Sequence, residues 1–307
     1  GRGGGGDGGQ RAEPPDEATY AAVIHGYLKS PDERERERGL DRCVSLLDDM
    51  VRMRKFGVRT STARRRSRSE VDVWIFNDVL KAWSGSGRAN APKVCENLLT
   101  QMEDLGNERN WEDAGPNAVS YTYAIDAWVN SDSSASGQRA CALLTRCEDR
   151  ALRFPEGCKG PNARTLSSAL EAVLKSGGGA ATGDRGRTAE DLLFRIVRAN
   201  VEGDESFYAE TRNFARVMTR VVRGRSPDAA QRVCELFRYM RDASKMPGNG
   251  RIKPNTVCYN IVLNALARSR ERGAAEKCEE LLGTMKDRYE AGDGDGDGDE
   301  DTARRKE

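Results

Sequence analysis

The chain has 307 residues, of which 50 are lysine or arginine and 49 are aspartate or glutamate, so its formal net charge is +1. Charged residues make up 32% of it and aromatic residues 6%, a balance that favours a solvated helical array over a compact β or α/β core. The only histidine, His25, stands at a variable helix position, so we expect neither a histidine-dependent triad nor a histidine metal site. Because no apolar run approaches the ~18 residues of a membrane-spanning helix, we expect a soluble protein without a membrane partner.

The first segment of the chain, residues 1–16, is predicted to be disordered. Seven of its first ten residues are glycine, and such a composition cannot bury enough apolar surface to fold. Because the chain opens at Gly1 instead of methionine, we expect an excised or mature segment, and a transit peptide would lie outside it.

Two apolar patterns alternate along the chain from residue 17 onward. The first has an anchor residue followed by apolar residues at +3, +4 and +7. The second, here called the even-helix pattern, has a small residue, then Leu-Leu or Leu-Phe three places on, then a Met-like residue at the eighth position. Both spacings form one stripe of an α-helix. The anchors are Tyr20, Phe76, Tyr121, Leu166, Phe214 and Tyr259, and the even-helix patterns begin at Cys43, Cys95, Ala140, Ala189, Val233 and Cys278.

The period of these patterns predicts an array of helical hairpins. Copies of the even-helix pattern begin 44 to 52 residues apart, and a hairpin of this size cannot bury both of its stripes alone. Glycine and serine clusters, such as residues 85–87, fall between the two stripes as turn signals. The sequence therefore predicts an all-α solenoid of about six hairpins over residues 17–290. Its predicted units are residues 17–72, 73–117, 118–162, 163–210, 211–255 and 256–290.

The last segment, residues 291–307, is predicted to be a disordered acidic tail. Residues 292–299 within it alternate glycine and aspartate. Asp293, Asp295 and Asp297 have the spacing of a calcium loop, but Arg304 stands where that loop needs a bidentate glutamate. A solvated tail is the preferred interpretation.

The sequence offers no catalytic, metal or cofactor site, and we predict that the protein is not an enzyme. Its eight cysteines contain no Cys-x-x-Cys pair, and Cys43, Cys95 and Cys278 share one stripe position. They are therefore interpreted as small core residues in a reducing compartment. No Gly-x-x-x-x-Gly-Lys-Ser/Thr loop is present.

The segments that lead into several hairpins resemble the pentatricopeptide repeat. Residues 254–260 read Pro-Asn-Thr-Val-Cys-Tyr-Asn and are followed by the pattern at Cys278. This order is similar to the family's Pro-Asp-Val-Val-Thr-Tyr-Asn and Ala-x-x-Leu-Phe-x-x-Met, and residues 115–122 and 160–167 repeat it. The resemblance implies a P-type-like protein with elongated repeats, folded as a right-handed superhelix.

In that family, the residue after the anchor and the last residue of the unit read one RNA base per repeat. By resemblance, the pair Asn77 and Asn117 would favour a pyrimidine, and Thr122 with Asn162 would favour adenine. A solvated polar residue is the alternative interpretation of such an exposed asparagine. The residues implied for base readout are Asn77, Asn117, Thr122, Asn162, Ser167, Asn255 and Asn260.

Two further columns are implied to contact RNA. Position +9 from the anchor holds a lysine or arginine in four of six units, and these positive charges suit contact with a phosphate backbone. Position −2 holds a large apolar residue in three units, and these side chains would sandwich bases or else pack at the helix start. The phosphate candidates are Lys29, Lys175, Arg223 and Arg268, and the sandwich candidates are Trp74, Val119 and Val257.

Two functions fit these features. The first is a sequence-selective single-stranded RNA binder that acts in RNA stability, processing or translation in a mitochondrion or plastid. The second is a scaffold in an organellar ribosome or gene-expression complex, whose groove takes ribosomal or RNA-processing proteins. The basic residues at +9 favour RNA as the partner, and the near-neutral net charge favours the scaffold. Neither function requires a cofactor.

Overall fold

The computed structural model describes residues 15–55, 70–107, 115–176, 182–201, 209–224, 226–246, 249, 251–269 and 271–290. These residues form twelve α-helices and no strand, which confirms the predicted all-α class. Most of the predicted disordered segment 1–16, and the whole tail 291–307, lie outside the described residues. The helices are α1 (Glu17–Leu28), α2 (Glu33–Lys55), α3 (Glu70–Ser84), α4 (Ala91–Asn107), α5 (Ala118–Val129), α6 (Ser136–Arg153), α7 (Ala163–Lys175), α8 (Thr182–Val201), α9 (Thr211–Arg223), α10 (Ala229–Ala243), α11 (Thr256–Arg268) and α12 (Ala274–Glu290).

Odd and even helices alternate as the two sequence patterns do. Each odd helix contains one anchor residue, and each even helix contains one even-helix pattern. In the first five even helices every residue of the pattern is at most 7% exposed, so the stripe predicted from its spacing lies in the core. Five of the six anchors are at most 4% exposed, and Tyr20 in α1 is half-buried.

The chain divides into two compact units. The first comprises residues up to 131 together with 147–160, and the second comprises 132–146 and residues from 161 onward. In the first unit, α3 packs against α1, α2, α4 and α5. In the second, α9 packs against α7, α8, α10 and α11, and α11 also packs against α12. Within each unit, therefore, a hairpin contacts the next one through both of its helices.

Polar side chains at the helix starts explain where several odd helices begin. Asp16, Asn117, Asn162 and Asn255 each accept a hydrogen bond from the backbone N–H three residues on, at 2.9 to 3.2 Å. This N-cap bond satisfies one of the backbone donors that a helix start leaves unpaired. Glu210 occupies the same position before α9 without a side-chain cap bond.

The cysteines of the described residues are free thiols, and several lie in the core. Cys43 and Cys95 are fully buried. Burial raises the pKa of Cys43 to about 11, and burial together with the neighbouring Glu96 raises the pKa of Cys95 to about 12. Thiols with such pKa values are inert packing groups at neutral pH. Cys278, at the same stripe position in α12, is only half-buried.

Candidate nucleic-acid interface

The three sandwich candidates project from the odd helices into solvent. Trp74 is 43% exposed, Val119 42% and Val257 56%. They belong to a set of only seven large apolar side chains that are exposed among the described residues. Large apolar groups are normally buried, so their repeated exposure at one position of the hairpin is compatible with contact to a partner.

The positions −2, +2, +5 and +9 form one helical stripe, because they are separated by four, three and four residues. We call these positions on the six odd helices the outer stripe. It comprises 24 residues, all of them described, and none of them is buried. The sandwich column and the phosphate column are therefore two levels of one exposed face on each odd helix. Position +2 between them was a sequence signal that the prediction did not use.

The outer stripe of the first unit is aromatic and close to neutral. The rings of His25 in α1 and Trp74 in α3 are stacked, with centroids 4.5 Å apart and planes at 10°. His25 Nε2 also lies 2.8 Å from Asp78 Oδ2, one turn after Trp74. The imidazole is thereby held between an aromatic ring and a carboxylate of the next hairpin, and it supports the exposed indole from one side.

The outer stripe of the second unit is basic. Its twelve positions on α7, α9 and α11 hold six bases and one acid, Glu171. Arg216 Nη2 donates a hydrogen bond to Glu171 Oε1 at 3.1 Å, and Nη1 donates to Oε2. These hydrogen bonds, more than the charges of Arg216 and Lys175, lower the pKa of Glu171. The bases are Arg164, Lys175, Arg212, Arg216, Arg223 and Arg268.

The contact across neighbouring hairpins repeats in the two units. His25 and Glu171 both stand at +5, and their partners Asp78 and Arg216 both stand at +2 of the next odd helix. We call this contact between +5 of one odd helix and +2 of the next the rung. It holds adjacent odd helices together in each unit. It leaves the −2 and +9 ends of the stripe exposed.

The phosphate candidates lie at the C-terminal ends of odd helices. Lys29 is the C-cap residue of α1, and Lys175, Arg223 and Arg268 are the last residues of α7, α9 and α11. All four are exposed. A positive charge at this place also stabilises the helix by interaction with its dipole, so the position has a structural use beside the predicted one.

Three of the residues predicted to read bases are N-caps. Asn117 Oδ1 accepts from the backbone N–H groups of Val119 and Ser120, and Asn162 Oδ1 accepts from the N–H and the hydroxyl of Thr165. Asn255 Oδ1 accepts from the N–H of Cys258 at 3.2 Å. Capping uses the amide oxygen in each case, which leaves the Nδ2 amino group as the donor that a ligand can contact.

The remaining base-reading candidates differ in exposure. Asn77 is half-buried and its Oδ1 accepts from the hydroxyl of Ser120 at 2.7 Å. Thr122 is only 2% exposed, and its hydroxyl donates to the Ala118 carbonyl at 2.7 Å. The hydroxyl of Ser167 is buried without a hydrogen-bond partner among the described residues, whereas Asn260 is exposed. Asn260 is therefore accessible to an RNA base, whereas the buried Thr122 is not in this arrangement.

Two arginines hold the segments that lead into the exposed valines. Arg150 Nε donates to the Pro116 carbonyl at 3.1 Å, and Arg288 Nη1 donates to the Pro254 carbonyl at 3.0 Å. Each proline precedes a capping asparagine, and Val119 or Val257 follows two residues later. The arginine therefore fixes the start of the odd helix of its own hairpin. The sequence signal was an arginine ten residues after the start of the even-helix pattern, which occurs only in these two units.

Comparisons with known proteins return no match to this chain among family models, curated proteins or solved structures. Within the described ranges, no group of three or more histidine, cysteine, aspartate or glutamate side chains is arranged to hold a metal ion. In the same ranges, no helix is both long and apolar enough to cross a membrane.

Proposed function

We propose that the protein binds single-stranded RNA along the outer stripe of its odd helices. The observation that carries the proposal is the composition of that stripe, which is unburied throughout, aromatic and apolar in the first unit, and basic in the second. Single-stranded RNA presents unstacked bases and a phosphate at every nucleotide, so the stripe of each unit offers one of the two kinds of contact that such RNA makes.

The chemistry assigns a different task to each level of the stripe. Trp74, Val119 and Val257 provide faces on which bases stack, and Trp74 keeps its orientation through the stacked His25 ring. The lysine and arginine side chains at +9 contact phosphates. The Nδ2 groups of the capping asparagines donate to acceptors on base edges, while their Oδ1 atoms hold the helix starts.

The resemblance to pentatricopeptide repeats supports a sequence-selective version of this function. The same resemblance supports a site of action in a mitochondrion or plastid, where the protein would occupy a transcript segment and affect RNA stability, processing or translation. The chain supplies no catalytic group in this proposal, because occupancy of the RNA is the activity.

A scaffold for proteins is the second candidate, and the burial of Thr122 favours it. Its hydroxyl and that of Ser167 are withdrawn from solvent, so two of the seven base-reading candidates cannot read an edge as they stand. A partner protein would use the exposed apolar side chains without needing those hydroxyls. Organellar ribosomal or RNA-processing proteins would be its partners.

RNA binding by column variants tests the proposal. Fluorescence anisotropy with short single-stranded RNAs should show that Trp74→Ala weakens binding by about 1 to 3 kcal/mol, the usual contribution of one stacked base. Val119→Ala and Val257→Ala should also weaken it, by less, because valine offers less stacking surface. Leu152→Ala is the matched control, since Leu152 is 84% exposed but lies on α6, outside the outer stripe.

The outcome that favours the scaffold is equally clear. If the folded parent protein binds no RNA pool, the scaffold is favoured, and if Trp74→Ala binds RNA no more weakly than Leu152→Ala, the outer stripe is not the RNA site. Circular dichroism on each variant confirms that the helices are intact.

A further inference from the structure

The last even helix leaves open a face that is covered in the other even helices. Leu282, at the fifth position of the even-helix pattern in α12, is 47% exposed. The equivalent residues in the other five patterns, Leu47, Leu99, Leu144, Leu193 and Phe237, are at most 4% exposed. Helices α2, α4, α8 and α10 each pack against the next odd helix, and α12 keeps the corresponding surface free within the described residues.

The first odd helix leaves open the complementary face. Val23, at +3 in α1, is 44% exposed, and Tyr20 and Tyr27 are half-buried. In the other five odd helices the residue at +3 is at most 1% exposed. Helices α3, α5, α9 and α11 use this stripe to pack against the preceding even helix.

We propose that the protein associates head to tail, with α12 of one copy packed against α1 of the next copy. The internal contact between α10 and α11 provides the register. There the Phe237 ring meets the Tyr259 ring edge to face, with centroids 4.8 Å apart. Leu282 corresponds to Phe237 and Tyr20 to Tyr259, so the same register brings Leu282 of one copy onto Tyr20 of the next.

Polar groups in the two faces match the internal contacts as well. Within the chain, Trp128 at +7 donates its indole N–H to Glu96 at 2.7 Å, and Glu96 is the second residue of its even-helix pattern. Tyr27 stands at +7 in α1, and Glu279 is the second residue of the pattern in α12. In the same register the Tyr27 hydroxyl of one copy faces the Glu279 carboxylate of another, as a donor facing an acceptor.

The rung between odd helices also suits a second copy. At this junction the rung positions are Asn264 at +5 in α11 and Ala22 at +2 in α1. Ala18 stands at −2 in α1, the position from which Trp74 stacks on His25 in the first unit. All three are exposed and uncharged, so no like charges meet. Residues 1–14 and 291–307 contain no Val, Leu, Ile, Met or aromatic residue.

The contact is heterologous, because each copy uses a different face at each end. Two copies joined in this way still present one open face of each kind. We therefore expect association to continue beyond the dimer as the concentration rises.

Sedimentation equilibrium of the full chain and of two end variants tests this arrangement. The parent protein should show an average mass that grows with concentration beyond that of a dimer. Val23→Asp and Leu282→Asp should each be monomeric, because each retains only one of the two faces. An equimolar mixture of the two should form a heterodimer and nothing larger, since only one pair of intact faces remains. Leu152→Asp, on an equally exposed leucine elsewhere, should associate like the parent.

Three results would overturn the proposal. A parent protein that stays monomeric at all concentrations has faces that do not fit each other. Association abolished by Leu282→Asp but unaffected by Val23→Asp would mean that α12 packs against α12. A mixture of the variants that stays monomeric also rules out the head-to-tail contact, provided that both variants retain their helical circular dichroism. Val23→Ser and Leu282→Ser replace the aspartate variants if either fails to fold.

Discussion

Arg150 shows how a single buried charge organises a hairpin. The residue is only 6% exposed, its guanidinium lies 4.6 Å from the Phe154 ring centroid, and its Nε donates to the Pro116 carbonyl. We expect Arg150→Ala to lower the free energy of unfolding by about 2 to 4 kcal/mol, because it leaves a cavity and an unpaired carbonyl. Urea denaturation followed by circular dichroism measures this.

Arg288 is the matched comparison, because it makes the same bond to Pro254 but is half-buried and nearer to solvent. Arg288→Ala should cost less, roughly 0.5 to 1.5 kcal/mol, the net contribution of an ordinary hydrogen bond. Equal costs for the two variants would contradict the argument that burial of Arg150 decides its effect.

The glycines around Arg150 provide an independent test of its position. A methyl group added at Gly115 would overlap the Arg150 guanidinium at Nη2. Gly115→Ala should therefore destabilise the parent protein but cost much less in the Arg150→Ala background, where the guanidinium is absent. A double-mutant cycle would show this as a coupling of about 1 to 3 kcal/mol. If the two changes are additive, Arg150 does not occupy this place.

The pair of Glu171 and Arg216 predicts a pH dependence at the acidic side. The pKa of Glu171 is lowered from its ordinary value of 4.5, chiefly by the hydrogen bond from Arg216. A carboxyl with a lowered folded-state pKa stabilises the fold above its unfolded pKa, and this contribution is lost as the pH falls through the folded value. The stability difference between the parent and Glu171→Gln should therefore be constant above pH 4.5 and shrink below it.

Arg216→Gln is the control for this measurement. With the donor removed, the pKa of Glu171 should lie closer to its ordinary value, so the acid-dependent difference on changing Glu171 should largely disappear. Urea titrations between about pH 3 and 7 decide the matter, because carboxylates titrate in that range. A difference that persists in the Arg216→Gln background would assign the lowered pKa to another neighbour.

At the scale of the helix, capping and base recognition use different atoms of one asparagine. Asn162→Asp keeps an acceptor for the Thr165 N–H and removes the Nδ2 donor, whereas Asn162→Ala removes both. Thermal melts should show a loss of about 1 kcal/mol for the alanine variant and almost none for aspartate, since both Asn and Asp are good N-caps.

RNA binding separates the two roles of Asn162. If Nδ2 contacts a base, both variants should bind RNA more weakly. If the residue serves only as a cap, Asn162→Asp should bind like the parent apart from a uniform effect of its added charge, which would diminish at high salt.

Helix periodicity was the part of the sequence that predicted the fold well. Spacings of 0, 3, 4 and 7 predicted which side chains lie in the core, because a helix brings those positions to one side. The stripes of α12 and α1 were exceptions: Leu282 and Val23 stand in the same patterns as in the other helices, but no described helix follows α12 or precedes α1 to cover them. Periodicity describes one helix and carries no information about its neighbours.

The candidate site was predictable only in part. Exposure of Trp74 agrees with its position off the apolar stripe, but its stacking on His25 depends on a contact between residues 49 positions apart. Asn117 and Asn162 could have been recognised as caps from their place before a helix, because Asn is among the preferred capping residues. The burial of Thr122 follows from tertiary packing, which the spacing +1 does not determine.

At the scale of the whole molecule, a formal net charge of +1 conceals an uneven distribution. The outer stripe of the second unit alone holds six bases and one acid, whereas that of the first unit holds two bases and two acids. RNA affinity should therefore depend strongly on salt although the protein is nearly neutral, because binding releases counterions only where lysine and arginine side chains meet phosphates.

The phosphate column gives this expectation a measurable size. Replacing Lys29, Lys175, Arg223 and Arg268 together with alanine should reduce the slope of log affinity against log salt by roughly 0.7 for each phosphate that is no longer neutralised. The control replaces four exposed bases away from the outer stripe, Arg42, Lys93, Lys159 and Lys245, so that the net charge changes equally. A smaller slope in the first variant only would assign the phosphate contacts to the +9 column. Equal slopes in both would mean that RNA binding responds to the total charge of the protein. The first variant should also lose a little helix stability, so the measurements are made well below its melting temperature.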